Sequence, residues 1–293
     1  MRRFVAIART AAIETMSQPL SAILFAVAAL AIHVLPAFQY HRFGAPGRLA
    51  RETGLSGLFI FGLLFAVPAI VRTIGRSLET GVAAATLALG VSRPMYFIAH
   101  LAGTLFVFAM FFVSVVSATA VSSFSCVKAS TILTANGGVV RVWGPALGVG
   151  VCGSIAPLAV AALVNRFLDG RFCLWTCMLT VAFQIVGFAI FHDISSVEKV
   201  APALCAISVA CVAYVAMAGA LSTRLNVNWV SACVVASVIM GFVSPVGFIM
   251  PNMGMFWLAE GDRLAAAPVC AGAALAALWT VVGCLSLERK ELG

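Results

Sequence analysis

Long apolar runs alternate with short polar stretches along this chain of 293 residues. A run of about 18 or more apolar residues can cross the hydrocarbon core of a bilayer as a helix. The pattern therefore predicts an all-α polytopic membrane protein with about eight transmembrane helices in one domain over residues 1–293, although seven or nine helices also fit. The runs are 20–38, 55–71, 97–120, 145–164, 174–191, 200–221, 229–250 and 264–286.

A polar segment at residues 72–94 separates the second run from the third. Its composition predicts helical structure from Thr73 to Gly90, where glycine is a natural helix end, and Ser92-Arg93-Pro94 predicts a break before the next span. Apolar residues recur along it as a stripe, and charged residues lie between them. The stripe comprises Leu78, Val82, Ala85 and Leu89; the charged residues are Arg72, Arg76, Glu79 and Arg93. Arg76 can reach Glu79 at i+3 spacing. Two interpretations stay open: a surface for a partner protein, or an ordinary loop whose arginines only enforce topology.

The stretch at residues 2–17 has helical amphipathic spacing. Its apolar face carries Phe4, Ile7, Ala8 and Ala11, and its polar face carries Arg2, Arg3, Arg9, Thr10 and Glu14. This pattern predicts an N-terminal interfacial helix whose arginines bind lipid phosphates. The alternative is a simple basic anchor that sets topology.

Composition supports the membrane assignment and limits the partners. Hydrophobic residues make up 62% of the chain and charged residues only 10%, too few for a soluble surface. The net charge of +8 does not indicate nucleic acid, because the basic residues are scattered through short loops and suit anionic membrane lipids. With the N terminus in the cytoplasm, most Lys and Arg residues fall on the cytoplasmic side, so both termini are expected there.

The reactive side chains form no recognisable catalytic or metal-binding pattern. Among nine cysteines the only close pair is Cys173 and Cys177, which has no histidine beside it, and the four histidines form no motif. No Walker sequence is present, and the carboxylates lie in loops or at span ends. No catalytic, metal-binding or cofactor-binding residue is therefore expected in this chain. A membrane-embedded enzyme would need a polar cluster inside the bundle, which the sequence does not indicate.

Three stretches resemble the ABC-2 type transporter permeases. The first is IGRSLETGVAAATLALGVSRPMYFIAHLAG at residues 74–103, the second is residues 220–244, and the third is LERKEL at residues 287–292. The residues that match are Arg76, Glu79, Thr80, Thr86, Val91, Ser92, Arg93 and Pro94 in the first stretch and Ser222, Thr223 and Arg224 in the second. The chain departs from the pattern at His100, where many relatives carry Lys, and in the short loop after the seventh run.

The resemblance implies a permease subunit of an ABC exporter, energised by a separate cytosolic ABC ATPase subunit that carries ATP and Mg. It implies a second permease subunit, as a homodimer, and a multi-pass location in the bacterial inner (plasma) membrane. Segment 72–94 would be a cytoplasmic coupling segment with Arg72, Arg76, Glu79, Thr80 and Arg93 as ATPase-docking residues. Residues 2–17 would be an interfacial helix that uses Arg2, Arg3, Phe4 and Arg9. The alternative is a membrane scaffold that docks a soluble partner without transport, and an ATPase partner distinguishes the two.

Overall fold

The computed structural model describes residues 1–43, 46–136, 140–167, 171–190, 194–243 and 266–290. Within these ranges the chain is helical and contains no strand. The long helices are α1 (Arg2–Met16), α2 (Pro19–Phe43), α3 (Pro46–Val71), α6 (Arg93–Asn136), α7 (Val140–Phe167), α8 (Phe172–Ile190), α9 (Ile194–Ser222), α10 (Val227–Val243) and α11 (Ala266–Glu288). Between α3 and α6 lie a π-helix (Arg72–Arg76), α4 (Ser77–Glu79) and α5 (Val82–Ala88).

The described part of each predicted apolar run lies on one of these helices, so the all-α class is confirmed. In the described residues, six stretches are long and apolar enough to cross a membrane: Pro19–Pro36, Ala50–Glu79, Arg93–Phe124, Phe172–Ile190, Ala203–Ser222 and Val269–Glu288. Two shorter apolar stretches, Cys152–Arg166 and Val227–Gly241, lie in α7 and α10. The count of eight spans therefore stays a prediction. Residues 191, 244–250 and 264–265 of the predicted runs are outside the described ranges.

The helices form two compact units. The first comprises Met1–Thr15, Leu63–Phe108 and Cys205–Gly293, and the second comprises Met16–Gly62 and Ala109–Leu204. In the first unit, Phe97 of α6 is fully buried, and a Cβ added at Gly283 of α11 would strike its ring. A Cβ added at Gly219 of α9 would lie 3.2 Å from Ile70 of α3 and 3.5 Å from the Phe97 ring. Small residues thus let these helices approach closely, as is usual where water supplies no hydrophobic drive between spans.

In the second unit, α2, α7 and α8 pack on one another, and the second half of α6 joins them. Phe25 of α2 meets Phe111 of α6 edge to face, with ring centroids 5.0 Å apart. The Ser122 hydroxyl of α6 donates a hydrogen bond of 3.0 Å to the Ile32 carbonyl of α2. Aromatic packing and interhelical hydrogen bonds therefore hold the two helices together.

The predicted N-terminal helix is present as α1, and part of its apolar face is covered by protein. Ala11 and Ala12 are buried, whereas Arg2 and Arg3 are exposed. A Cβ added at Gly103 of α6 would strike the Ala8 carbonyl and the Ala11 methyl group. The helix therefore rests on α6 over Ala8–Ala12, and its location at a lipid interface stays a prediction.

The segment at residues 72–94 differs from the expected continuous helix. Helical structure continues past Val71 through the π-helix to Glu79, so there is no break where the span was expected to end. The break comes at Gly81, whose φ of 74° lies in the left-handed region that costs glycine little. Gly90, with φ of 79°, lies just beyond the end of α5, which confirms the predicted helix end. The break before the next helix lies at Val91 and Ser92, whereas Arg93 and Pro94 already belong to α6.

Candidate docking surface

The outer face of residues 72–90 is exposed and carries both charge and apolar side chains. Arg72, Arg76, Glu79 and Thr80 are all exposed, and with Val82 and Leu89 they form what we term the docking surface. Leu89 is 73% exposed and Val82 is 56% exposed, so two members of the predicted apolar stripe face outward. A mixed face of this kind is typical of a surface that receives a partner protein.

The inner side of the same segment is fixed to the first unit. Thr73, Ile74 and Gly75 of the π-helix are buried, and the Tyr96 hydroxyl of α6 donates a hydrogen bond of 2.7 Å to the Ser77 hydroxyl. The Ser77 hydroxyl in turn donates to the Ile74 carbonyl at 2.7 Å. The docking surface is thus attached to α6 through side chains as well as through the backbone. Single π turns inside longer helices are frequent at functional sites.

Arg3 joins the two regions that the sequence indicated separately. Its guanidinium donates to the carbonyls of Leu89 at 3.0 Å and Gly90 at 3.3 Å. These carbonyls follow the end of α5, where backbone acceptors lack helical partners and a cation is favourable. The side chain predicted to bind lipid phosphates therefore holds one end of the docking surface. Arg2 and Arg9 are exposed, and Phe4 is partly buried.

A half-buried carboxylate lies on α1 close to the docking surface. Burial raises the pKa of Glu14 above its usual value, and the opposing positive charge comes from Arg76. No ion pair or hydrogen bond joins the Arg76 and Glu79 side chains within the described residues, so the expected i+3 pair does not form. The electrostatic partner that the structure gives Arg76 is Glu14, and the Glu79 carboxylate faces outward.

Arg93 has an intramolecular role in addition to its predicted docking role. Its guanidinium donates to the carbonyls of Leu287, Glu288 and Lys290, the last at 3.0 Å. It therefore caps the C-terminal end of α11, which carries the negative end of the helix dipole.

The three stretches that resemble the permease family meet at this end of the first unit. Arg224, at the end of α9, donates to the Ser286 hydroxyl and carbonyl of α11, each at 3.1 Å. The Lys290 ammonium donates to the Thr223 carbonyl at 2.9 Å, and the Thr223 and Ser286 hydroxyls are 2.7 Å apart. Segments far apart in the sequence therefore form one polar cluster beside Arg93.

Replacing Arg93 by methionine is expected to destabilise the isolated chain by about 1–3 kcal/mol, because three carbonyls lose a charged donor. The bonds to Leu287 and Lys290 are half-buried, and the bond to Glu288 is exposed. Lysine at the same position should recover part of the loss, since its ammonium also has three donors but lacks the planar fork. Thermal unfolding in detergent micelles measures the stability of both Arg93 variants. Arg72→Met is the matched control, because Arg72 is exposed and its side chain makes no hydrogen bond to any residue that the structure describes. Equal melting temperatures for the Arg93 and Arg72 variants would contradict the capping role.

A polar layer inside the second unit was missed by sequence reasoning. His33 of α2 and Gln184 of α8 are buried, with Nε2 and Oε1 3.2 Å apart, and the Gln184 amide donates to the Gly153 carbonyl of α7 at 3.1 Å. Gln184 within an apolar run was the available signal. Its partner could not be read from spacing, because 151 residues separate it from His33. The layer is internally hydrogen-bonded, as expected of polar residues that hold membrane helices together.

The described residues bring no reactive side chains together as a metal-binding cluster. In the part of the chain that the structure describes, no group of three or more His, Cys, Asp or Glu residues could hold a metal ion. Cys177 is buried, and its Sγ lies 3.8 Å from the Met16 carbonyl, so this thiol packs against backbone.

Comparison with known proteins identifies no relative: no protein-family model, no curated protein and no solved structure matches the chain. The permease assignment therefore depends on the short motifs and on the surface described above.

Proposed function

We propose that this chain is the membrane-spanning permease subunit of an ATP-driven ABC-2 type exporter. A separate cytosolic ATPase subunit would carry ATP and Mg, and a second copy of the chain would complete the transmembrane pathway. Both termini and the docking surface would then lie on the cytoplasmic side of a bacterial inner membrane. The observation that carries the proposal is the docking surface. Its outer face is exposed, and its buried side is attached to apolar helices of the first unit.

The attachment of the docking surface would allow a force applied by a partner protein to reach the apolar helices. Residues 72–92 connect α3 directly to α6, and Tyr96 holds the inner side of the segment against α6. Arg3 connects its other end to α1, which rests on α6 at Gly103. A rigid displacement of the docking surface would therefore act on three helices of the first unit at once. Packed interfaces convert small shifts into discrete rearrangements, which is the kind of change an export cycle requires.

The charges on the surface indicate how a partner would be oriented. Arg72, Arg76 and Glu79 present both signs of charge within two helical turns, next to the exposed Val82 and Leu89 side chains. Apolar contact would supply binding energy, and charged groups at its rim would fix register and specificity. A groove on the ATPase with complementary charges is the expected counterpart.

The test of this proposal is photocrosslinking in the native cell. A photoreactive phenylalanine analogue at Leu89 of the tagged chain is expected to capture a protein with a Walker sequence, which mass spectrometry would identify. The same analogue at Val235, an exposed position in the apolar part of α10, is the control and should capture no ATPase. Mild-detergent purification should recover the same ATPase in stoichiometric amount. Recovery of only structural membrane proteins at Leu89 would overturn the exporter proposal and favour the scaffold interpretation.

A further inference from the structure

A cavity of about 340 Å³ lies between α2 and α3 in the second unit. Its volume is within the range of pockets that hold small organic ligands or part of a lipid. The lining residues are Ala31, Ile32, Leu35, Glu52, Thr53, Ser56, Gly57, Ile60 and Phe61. None of them belongs to the docking surface, so the cavity is a separate feature of the chain.

The cavity has a polar end and an apolar remainder. Glu52, Thr53 and Ser56 lie on the first turns of α3, at the start of the apolar run, where a span meets the headgroup region of a bilayer. The other lining residues are apolar or glycine, and those on α3, Gly57, Ile60 and Phe61, lie further into the apolar run. Leu35 and Ile60 are 46% and 51% exposed, so the cavity opens between them on the surface that lipid covers. This polarity gradient matches that of a lipid molecule.

The space depends on small side chains where the two helices meet. A Cβ added at Gly57 would lie 3.4 Å from the nearest carbon of Ile32, so a larger residue there would enter the cavity. Ala31 lines the opposite side. Close packing usually removes empty space between helices, which makes a cavity of this size at a helix pair informative.

The polar end is rich in hydrogen-bond acceptors. The Ser56 hydroxyl donates its proton to the Glu52 carbonyl at 2.8 Å, which leaves its oxygen as an acceptor. A carboxylate carries a negative charge and about four acceptor positions, and Glu52 lines the cavity while it also interacts within the chain. A donor that is also positively charged makes the strongest hydrogen bond with a carboxylate. These features favour a primary ammonium group over a headgroup without N–H donors.

We propose that this cavity binds a bilayer phospholipid with a primary ammonium headgroup, with the ammonium at Glu52 and Ser56 and an acyl chain between Leu35 and Ile60. Binding would stabilise the contact between α2 and α3. The site does not depend on the exporter proposal, because it requires no partner protein and no transport.

Native mass spectrometry of the purified full chain tests this proposal. The probes are phosphatidylethanolamine and phosphatidylcholine with identical acyl chains, which differ at the headgroup nitrogen: the first has N–H donors and the second has none. We expect at least about tenfold stronger retention of phosphatidylethanolamine, since one charge-assisted hydrogen bond corresponds to a factor of that size. Equal retention of the two lipids would overturn the proposal.

Two variants test whether a preference for phosphatidylethanolamine arises in the cavity. Glu52→Gln keeps the shape but removes the charge, and it should reduce the preference severalfold. Ala31→Phe fills the cavity and should weaken retention of phosphatidylethanolamine to the level of phosphatidylcholine. Glu288→Gln, at an exposed carboxylate of α11, is the matched control and should retain the preference. If the preference survives in both cavity variants, or disappears in the control, the cavity is not the lipid-binding site and the proposal is overturned. Gel filtration and thermal unfolding establish that each variant is folded, and Ser56→Ala replaces Glu52→Gln if that variant does not fold.

Discussion

Gly103→Ala is expected to lower the free energy of unfolding by about 1–3 kcal/mol, the usual cost of overpacking a close contact. The added Cβ would strike the Ala8 carbonyl and the Ala11 methyl group of α1. All three of the nearest atoms, in Ala8, Ala11 and Ala12, are backbone or Cβ atoms of a helix, so no flexible side chain can move aside and α1 must shift. The melting temperature in detergent measures the effect, with an expected fall of several degrees.

Gly187→Ala is the matched control for this prediction. Gly187 is also a helical glycine in an apolar span, but its added Cβ would lie 3.7 Å from a Val121 methyl group, which is ordinary van der Waals contact. Alanine there should be neutral or slightly stabilising, because it reduces the conformational freedom of the unfolded chain. Tryptic cleavage after Arg9 is a second readout, since a displaced α1 should be cut faster in the Gly103 variant alone. Equal stability and equal cleavage of the two variants would show that α1 is not seated on Gly103.

Glu79→Lys is expected to weaken ATPase docking at least about tenfold and to uncouple ATP hydrolysis from the permease. The Glu79 side chain is exposed and makes no ion pair within the described residues, so its replacement should leave the chain folded and inserted. Reversal of the charge would remove a charge-assisted hydrogen bond to the partner and add repulsion, and the first of these alone is worth about 1.5–3 kcal/mol. The affinity of the purified ATPase for the reconstituted permease, and its hydrolysis rate in the complex, measure the change.

Glu288→Lys provides the control for charge reversal at the same end of the first unit. Its side chain is exposed, and only its backbone carbonyl takes part in the Arg93 cap. The affinity and hydrolysis rate of this variant should stay close to those of the unmodified permease. Full-strength coupling in the Glu79 variant would disprove the coupling assignment of the docking surface, even if an ATPase does co-purify.

Much of the architecture was predictable because the length of an apolar run reports directly on whether a helix can span a bilayer. The described part of every predicted run lies on a helix, and the helix end at Gly90 and a break before α6 follow from residue types alone. The break at Gly81 was missed. Glycine inside a helical pattern is tolerated about as often as it ends one, so composition does not distinguish the two.

Only the exposed part of the docking surface could be predicted from the sequence. The exposed positions of Arg72, Arg76, Glu79 and Thr80 follow from a polar segment between two spans, which local pattern can indicate. The attachment of that segment could not be inferred. Arg3 reaches carbonyls 86 and 87 residues away, and Arg93 reaches one 197 residues away. A guanidinium that is free to bind lipid or a partner has the same sequence signature as one that caps a distant helix.

The sequence by itself determined that this protein is a bundle of apolar helices with a charged segment between its second and third spans. Those properties depend on the free energy of transferring each residue from water to lipid. That free energy is set by the residue type and its neighbours in sequence. Only the tertiary structure decided which helix faces meet: α1 on Gly103, His33 beside Gln184, Arg93 at the end of α11, and the cavity beside Gly57. In a membrane nearly every face is apolar, so hydrophobicity does not select partners. Close packing of small residues and a few long-range hydrogen bonds make that selection.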